Sequence, residues 1–152
     1  MVAEHHGGGT MRRRGQALYS DKYETDLYEM GLNMANLVAV EEHLPLKPVV
    51  FHILLALAEG DAHGYGVIRS VRSRSGGRIP LTTGAFYRHL AKLLDAGLVE
   101  ESAHRPEDDD PRRGAYYAIT TLGREAVAAD GKRLQELIAA TARLGLLDGG
   151  PG

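Results

Sequence analysis

The period of the hydrophobic residues changes at Gly97, and that change restricts the fold more than any other feature of this chain. Upstream, Phe86, Leu90, Leu93 and Leu94 stand at i, i+4, i+7 and i+8, one face of a helix. Downstream, Leu98 to Ser102 and Ala115 to Thr120 follow a period of two and read as strands. Between them lies HRPEDDDPRRG, a loop of charge and proline. In the second strand Tyr117 and Ile119 share one face, and Tyr116 and Ala118 share the other. Phe86, Leu90, Leu93, Leu98, Tyr117 and Ile119 are expected in the core.

Two more helices precede that switch. Pro48 suits a first helical position, and Val49 to Ala58 is apolar on nearly all sides, so this helix belongs at the centre. Asp61-Ala62-His63-Gly64 opens the next helix, which runs to about Ser75 with Val67, Ile68 and Val71 facing inward. Gly76 and Gly77 stop it. Thr82 is an N-cap for the third, which ends at Gly97. The expected fold class is mainly α with a small β-hairpin.

The flanks extend that unit. Residues 1–19 are glycine-rich and basic and read as a flexible tail. Residues 20–43 read as an N-terminal helical extension, with Asp21 and Glu24 spaced as a capping box. Its stripe of Tyr23, Leu27, Met30, Met34 and Leu37 suits burial in its own domain or against a second subunit equally well. Residues 121–147 read as a C-terminal helix capped by Thr120. Its stripe is Val127, Leu134, Leu137, Ile138, Thr141 and Leu144. Gly131 costs that helix about 1 kcal/mol relative to Ala and marks a place for a kink or break. Residues 148–152 read as a disordered tail.

Composition narrows the function. The 152 residues include no cysteine, which excludes a disulfide scaffold, a thiolate zinc site and a cysteine nucleophile. The seven histidines show no metal-ligand spacing, and no Gly-rich phosphate loop is present, so no catalytic site, metal or cofactor is expected. The longest apolar stretch falls well short of the roughly 20 residues of a membrane span. The N-terminus has no apolar segment behind its arginines, so a cytoplasmic protein is expected.

Charge is informative once divided along the chain. The formal net charge is −2. Yet His63 to Leu94 contains Arg69, Arg72, Arg74, Arg78, Arg88 and Lys92 and no acid, a local +6 against −8 elsewhere. Three helices and a hairpin, with the positive charge on the second and third helices, describe a winged helix-turn-helix over residues 44–120. In that geometry the third helix enters the major groove and the wing reaches backbone or minor groove. The acid-rich remainder favours a rival, a winged-helix protein-interaction module without DNA binding.

The run HGYGVIRSVRSRSGGRIPLTTGAFYRHLAKLLDAGLVEE, followed by PRRGAYYAITTLGRE, resembles the PadR family of transcriptional regulators. The shared pattern comprises His63-Gly64-Tyr65, then Gly84-Ala85-Phe86-Tyr87, then Leu90 to Val99. Arg112 to Tyr117 and Thr120 to Gly123 complete it. The resemblance covers about 44–130. It implies a homodimeric repressor that reads a pseudo-palindromic double-stranded operator, with small-molecule effectors in some members. It also implies that the C-terminal helix pairs the subunits. Tyr23, Leu27, Met30, Met34, Leu134, Leu137, Ile138 and Leu144 then become the expected dimer contacts.

For DNA, Thr83, Gly84, Tyr87 and Arg88 are the groove-facing candidates. Arg88 suits a guanine edge or a phosphate, and Tyr87 reads equally as a phosphate ligand or a packing residue. Arg69, Arg72, Arg74, Arg78 and Lys92 are candidates for the backbone. His63 reads as structural. Three departures from the family pattern stand out. Gly66 replaces a common acid, Arg88 replaces a common proline, and Glu107-Asp108-Asp109-Asp110 places acids on the wing tip. Phosphate would repel those acids. The tip is therefore expected to point away from DNA or to be mobile, leaving Arg112 and Arg113 at its base for wing contacts.

Overall fold

The computed structural model describes residues 34–147, with side chains from Leu37 onward. The expectations for 1–33 and 148–152 lie outside the described residues: the basic tail, the capping box, the contacts of Tyr23, Leu27 and Met30, and the C-terminal tail. The Met34 side chain lies outside them too. The chain divides into two compact units, Met1–Ala39 and Val40–Gly152. Helix α1 (Met34–Glu41) carries the boundary between them.

Within the second unit, α2 (Pro48–Ala58) begins with proline at its first position and buries Ile53, Leu54, Ala56 and Leu57. It packs against α3 (Gly64–Arg74) and α5 (Thr121–Arg143). A helix touched from several sides needs an apolar surface nearly all round, which is what Val49 to Ala58 supplies. Helix α4 (Thr83–Asp95) seals the core with Phe86, Leu90 and Leu93. Phe86 is fully buried. Truncating such a side chain costs about 3–5 kcal/mol.

The sheet has three strands, not two. Besides β2 (Val99–Ser102) and β3 (Tyr116–Ile119), residues Ala62–His63 form β1. The order is β1-β3-β2, all antiparallel, with His63 opposite Tyr116 and Ser102 opposite Tyr116 on the other side. Asp61 to His63 therefore do not open α3, as the sequence suggests. His63 is instead its N-cap, with Nδ1 accepting the Gly66 N–H at 3.2 Å.

The expected alternation of β3 holds, with Tyr117 and Ile119 packed on the core and Tyr116 outside that cluster. Tyr116 and Ile119 are buried, while Tyr117 is only half-buried. The Tyr116 ring lies edge-on to His63 at 5.4 Å, and its hydroxyl reaches the wing. Leu94 leaves the apolar stripe of α4 and is 38% exposed, because α4 packs on one side only.

Helix α5 runs through Gly131 without interruption. Its first half buries small residues and one charge. Asp130 is 1% exposed, accepts the Leu46 N–H at 3.3 Å and takes Arg133 Nε at 2.6 Å. A buried carboxylate is tolerated when it is paired and hydrogen-bonded in this way.

Among the described glycines, Gly123 at the start of α5 has the tightest surroundings. A Cβ on Gly123 would lie 2.2 Å from the Leu98 carbonyl oxygen, a backbone atom. Gly131 has open space around it. Gly123→Ala is therefore expected to lower stability by about 1–3 kcal/mol or more. Gly131→Ala should raise it by up to about 1 kcal/mol. Urea denaturation of the two variants beside wild type checks both signs.

Candidate nucleic-acid interface

Helix α4 starts where Thr82 Oγ1 accepts the Ala85 N–H at 3.2 Å. From there its buried and exposed faces separate cleanly. Thr83, Gly84, Tyr87, Arg88, Ala91 and Lys92 are all exposed. The Arg88 guanidinium folds back over Gly84, 3.5 Å from where a Cβ would stand. The field along this face is positive. His89 has its pKa lowered by partial burial and by Lys47, Lys92 and Arg88.

Tyr87 serves packing as well as surface. Its ring meets Phe86 edge-on at 5.0 Å, and its hydroxyl would lie 2.8 Å from a Cβ on Gly64. Glycine at the start of α3 is thus what lets Tyr87 bridge the two helix starts. The ring is still 48% exposed.

The arginines of α3 and its turn do not form one uniform patch. Arg72 Nη2 donates to the Leu81 carbonyl at 3.3 Å and braces the turn into α4. Arg74 pairs with Glu59. Arg69 lies over the Tyr65 ring at 5.0 Å. Arg78 is exposed. Among the described residues Arg78, Arg88 and Lys92 have no acidic partner.

The wing holds pairings that the sequence does not show: two of its four acids, Asp109 and Asp110, are paired within the protein. Asp109, with a side chain only 2% exposed, accepts from Arg105 Nε at 2.5 Å, Arg113 Nη1 at 3.2 Å and the Tyr116 hydroxyl at 2.6 Å. Loss of water pushes its carboxyl up, but the bonds from Tyr116, Arg105 and Arg113 outweigh this and hold it below its ordinary value. Asp110 caps the short 3₁₀ turn Pro111–Arg113 through the Arg112 N–H at 3.0 Å. Its carboxylate also takes the Arg112 side chain, Nε at 3.1 Å and Nη2 at 3.0 Å. Glu107 and Asp108 remain exposed at the tip.

The starts of α3 and α4 and the wing base enclose a cleft of about 490 Å³. It brings together Thr83, Tyr87, Arg69, Arg112 and Arg113 of the expected DNA contacts, and adds Tyr65 and Asp110, which the sequence places in the family motif and on the wing tip but not among those contacts. It also takes in His63. Gly84, Arg88, Lys92, Arg72, Arg74 and Arg78 stand outside its walls. No helix among the described residues is long and apolar enough to cross a membrane. No group of three or more His, Asp or Glu among them is placed to hold a metal.

These elements define a winged helix-turn-helix protein. The model of the transcriptional regulator PadR-like family matches residues 53–129, half of the chain, and the chain belongs to that family. A crystal structure of a PadR family transcription regulator from Clostridium difficile shares the fold. It is 17% identical with a TM-score of 0.53, and the match covers 64% of this chain and 98% of that one. RosR from H. salinarum is 26% identical, with a TM-score of 0.47 and coverage of 67% and 98%. A transcriptional regulator from Clostridium thermocellum is 22% identical, with a TM-score of 0.48 and coverage of 64% and 89%. No curated protein matches the chain.

A carboxylate held below its ordinary pKa contributes stability that is complete above that value and lost as pH falls through the lowered one. The wing is therefore expected to stay ordered from pH 7 down to the ordinary aspartate value of about 3.9 and to loosen only below it. Asp109→Asn should loosen it already at pH 7. Heteronuclear NOEs of the amides of residues 103–115 report both.

Proposed function

We propose that this chain is a DNA-binding regulator that acts as a homodimeric repressor and is released by a small-molecule effector. The observation that carries the DNA reading is the exposed face of α4. It presents Thr83, Gly84, Tyr87, Arg88 and Lys92 on one side, with Arg88 and Lys92 free of acidic partners among the described residues. In this reading α4 lies in the major groove and the N-terminal half of its exposed face meets base edges. Arg88 reads a guanine edge or clamps a phosphate, and Gly84 lets the backbone approach closely. Arg69, Arg78, Lys92, Arg112 and Arg113 hold the phosphate backbone. Arg72 and Arg74 contribute field while their guanidiniums brace the protein.

The second half of α5 supports the dimer. Leu134, Leu137, Ile138 and Leu144 are all exposed, at 36%, 53%, 56% and 74%. Large apolar side chains this close together on a helix call for a cover. A second copy is the cover we infer. Two copies would present their α4 helices about one DNA turn apart, which suits a pseudo-palindrome. An effector then acts by changing that separation.

Fluorescence anisotropy on the DNA upstream of the gene, with unrelated DNA as control and several salt concentrations, tests the reading. The logarithm of affinity should fall linearly with log salt, with a slope of about −0.9 per phosphate contacted. Arg88→Ala should weaken binding at least about tenfold, the scale of one good base or phosphate contact. Unchanged binding by that variant would favour a winged-helix module that meets protein instead. Leu137→Asp with Ile138→Asp should sediment as a monomer and lose affinity for the two-half-site duplex.

A further inference from the structure

We propose that Asp110 is a resident stand-in for a DNA phosphate: in the free protein its carboxylate holds the Arg112 guanidinium in the cleft at the wing base, and a backbone phosphate of the duplex displaces it. The proposal rests on the DNA-binding reading above and specifies how that same surface is regulated from within the fold.

The cleft explains why this carboxylate matters. Its walls carry three guanidiniums, from Arg69, Arg112 and Arg113, and one acid, Asp110. Arg112 meets both oxygens of that acid, with Nε at 3.1 and 3.2 Å and Nη2 at 3.0 Å. This is the fork that a guanidinium also offers to the oxygens of a phosphate. The Asp110 side chain is 36% exposed and Arg112 90% exposed, so solvent and ligand reach the pair. Hydrogen bonds from the side chain and backbone of Arg112 hold the Asp110 carboxyl below its ordinary pKa, so it stays charged at neutral pH.

The exchange leaves the fold intact. Asp110 Oδ1 also accepts the Arg112 backbone N–H at 3.0 Å, and that bond caps the 3₁₀ turn. The guanidinium can leave for a phosphate while the turn keeps its cap. The neighbouring Asp109 differs. It is closed in by Arg105, Arg113 and Tyr116 and holds the wing together. Of the two paired acids, Asp109 is the structural one and Asp110 the exchangeable one.

Asp110→Asn tests this, since the amide oxygen still caps the turn while the charge is gone. The probe is a fluorescein-labelled 30-base-pair duplex of mixed sequence, titrated by anisotropy from 50 to 200 mM salt. Asp108→Asn is the control, because it removes the same charge from the exposed tip. Asp110→Asn should bind about threefold or more tighter than Asp108→Asn. Its salt slope should steepen by up to about 0.9, because no freed carboxylate recaptures a cation beside the phosphate. In an Arg112→Ala background, Asp110→Asn should give no gain over Asp108→Asn.

Equal gains from the two aspartate variants, a gain that survives Arg112→Ala, or no gain at all would overturn the stand-in and leave DNA binding standing. Failure of every protein, wild type included, to bind the duplex at 50 mM salt would overturn both.

Discussion

The peptide unit of Leu98 is the joint on which the rest of the molecule depends. Its N–H donates to the Leu93 carbonyl at 3.0 Å and closes the end of α4. Its carbonyl accepts the Thr120 N–H at 3.1 Å and so binds the end of β3. The first turn of α5 then passes over that same carbonyl, with only hydrogen atoms on Gly123 to spare. Thr120 locks the corner by donating to the Gly97 carbonyl at 2.6 Å while capping α5 through Gly123. Each such bond is worth about 1 kcal/mol alone. Together they tie the end of α4, the end of β3 and the first turn of α5 into one joint.

Much of this was legible in the sequence because its causes are local. Thr82 and Thr120 announce their helices by side-chain capping, and the α4 stripe is set by the helical period alone. Gly123 could be read as part of a recurring motif, but its reason lies in contact with Leu98, 25 positions earlier, and no local pattern contains it. Strand β1 was missed because two residues are too few to show a period, and its partner β3 lies more than fifty positions away. The burial of Tyr116, outside the core that Tyr117 and Ile119 pack on, is not encoded in the alternation, because its cover comes from the wing: Asp109 takes its hydroxyl at 2.6 Å and Arg105 lies over its ring at 5.6 Å.

Charge was the least legible quantity. The sequence gives the position of each arginine but not its partner. The window from His63 to Leu94 reads as six equivalent cations, yet Arg72 and Arg74 are engaged within the protein and Arg69 is stacked on Tyr65. Conversely, the four acids of the wing look repulsive in sequence, and two of them turn out to be counterions to Arg105, Arg112 and Arg113. Among the described residues, the positive charge of the window from His63 to Leu94 without an acidic partner thereby lies on Arg69, Arg78, Arg88 and Lys92. A local signal for Asp110 did exist, since an aspartate directly before proline is a familiar cap.

Asp130 gives α5 the mechanics of a lever. Up to that residue the helix is clamped, by Gly123 at its start and by the buried bond to Leu46. Beyond it the helix runs on to Arg143, about 20 Å at 1.5 Å per residue, with an increasingly exposed surface. A tilt of only about 10° at that fulcrum would swing the far end by about 3–4 Å on this arm length. In the proposed dimer, that displacement is about one whole step between successive base pairs. A small wedge near Leu46 would therefore be magnified into a mismatch with the DNA pitch, with no element of the fold having to unravel.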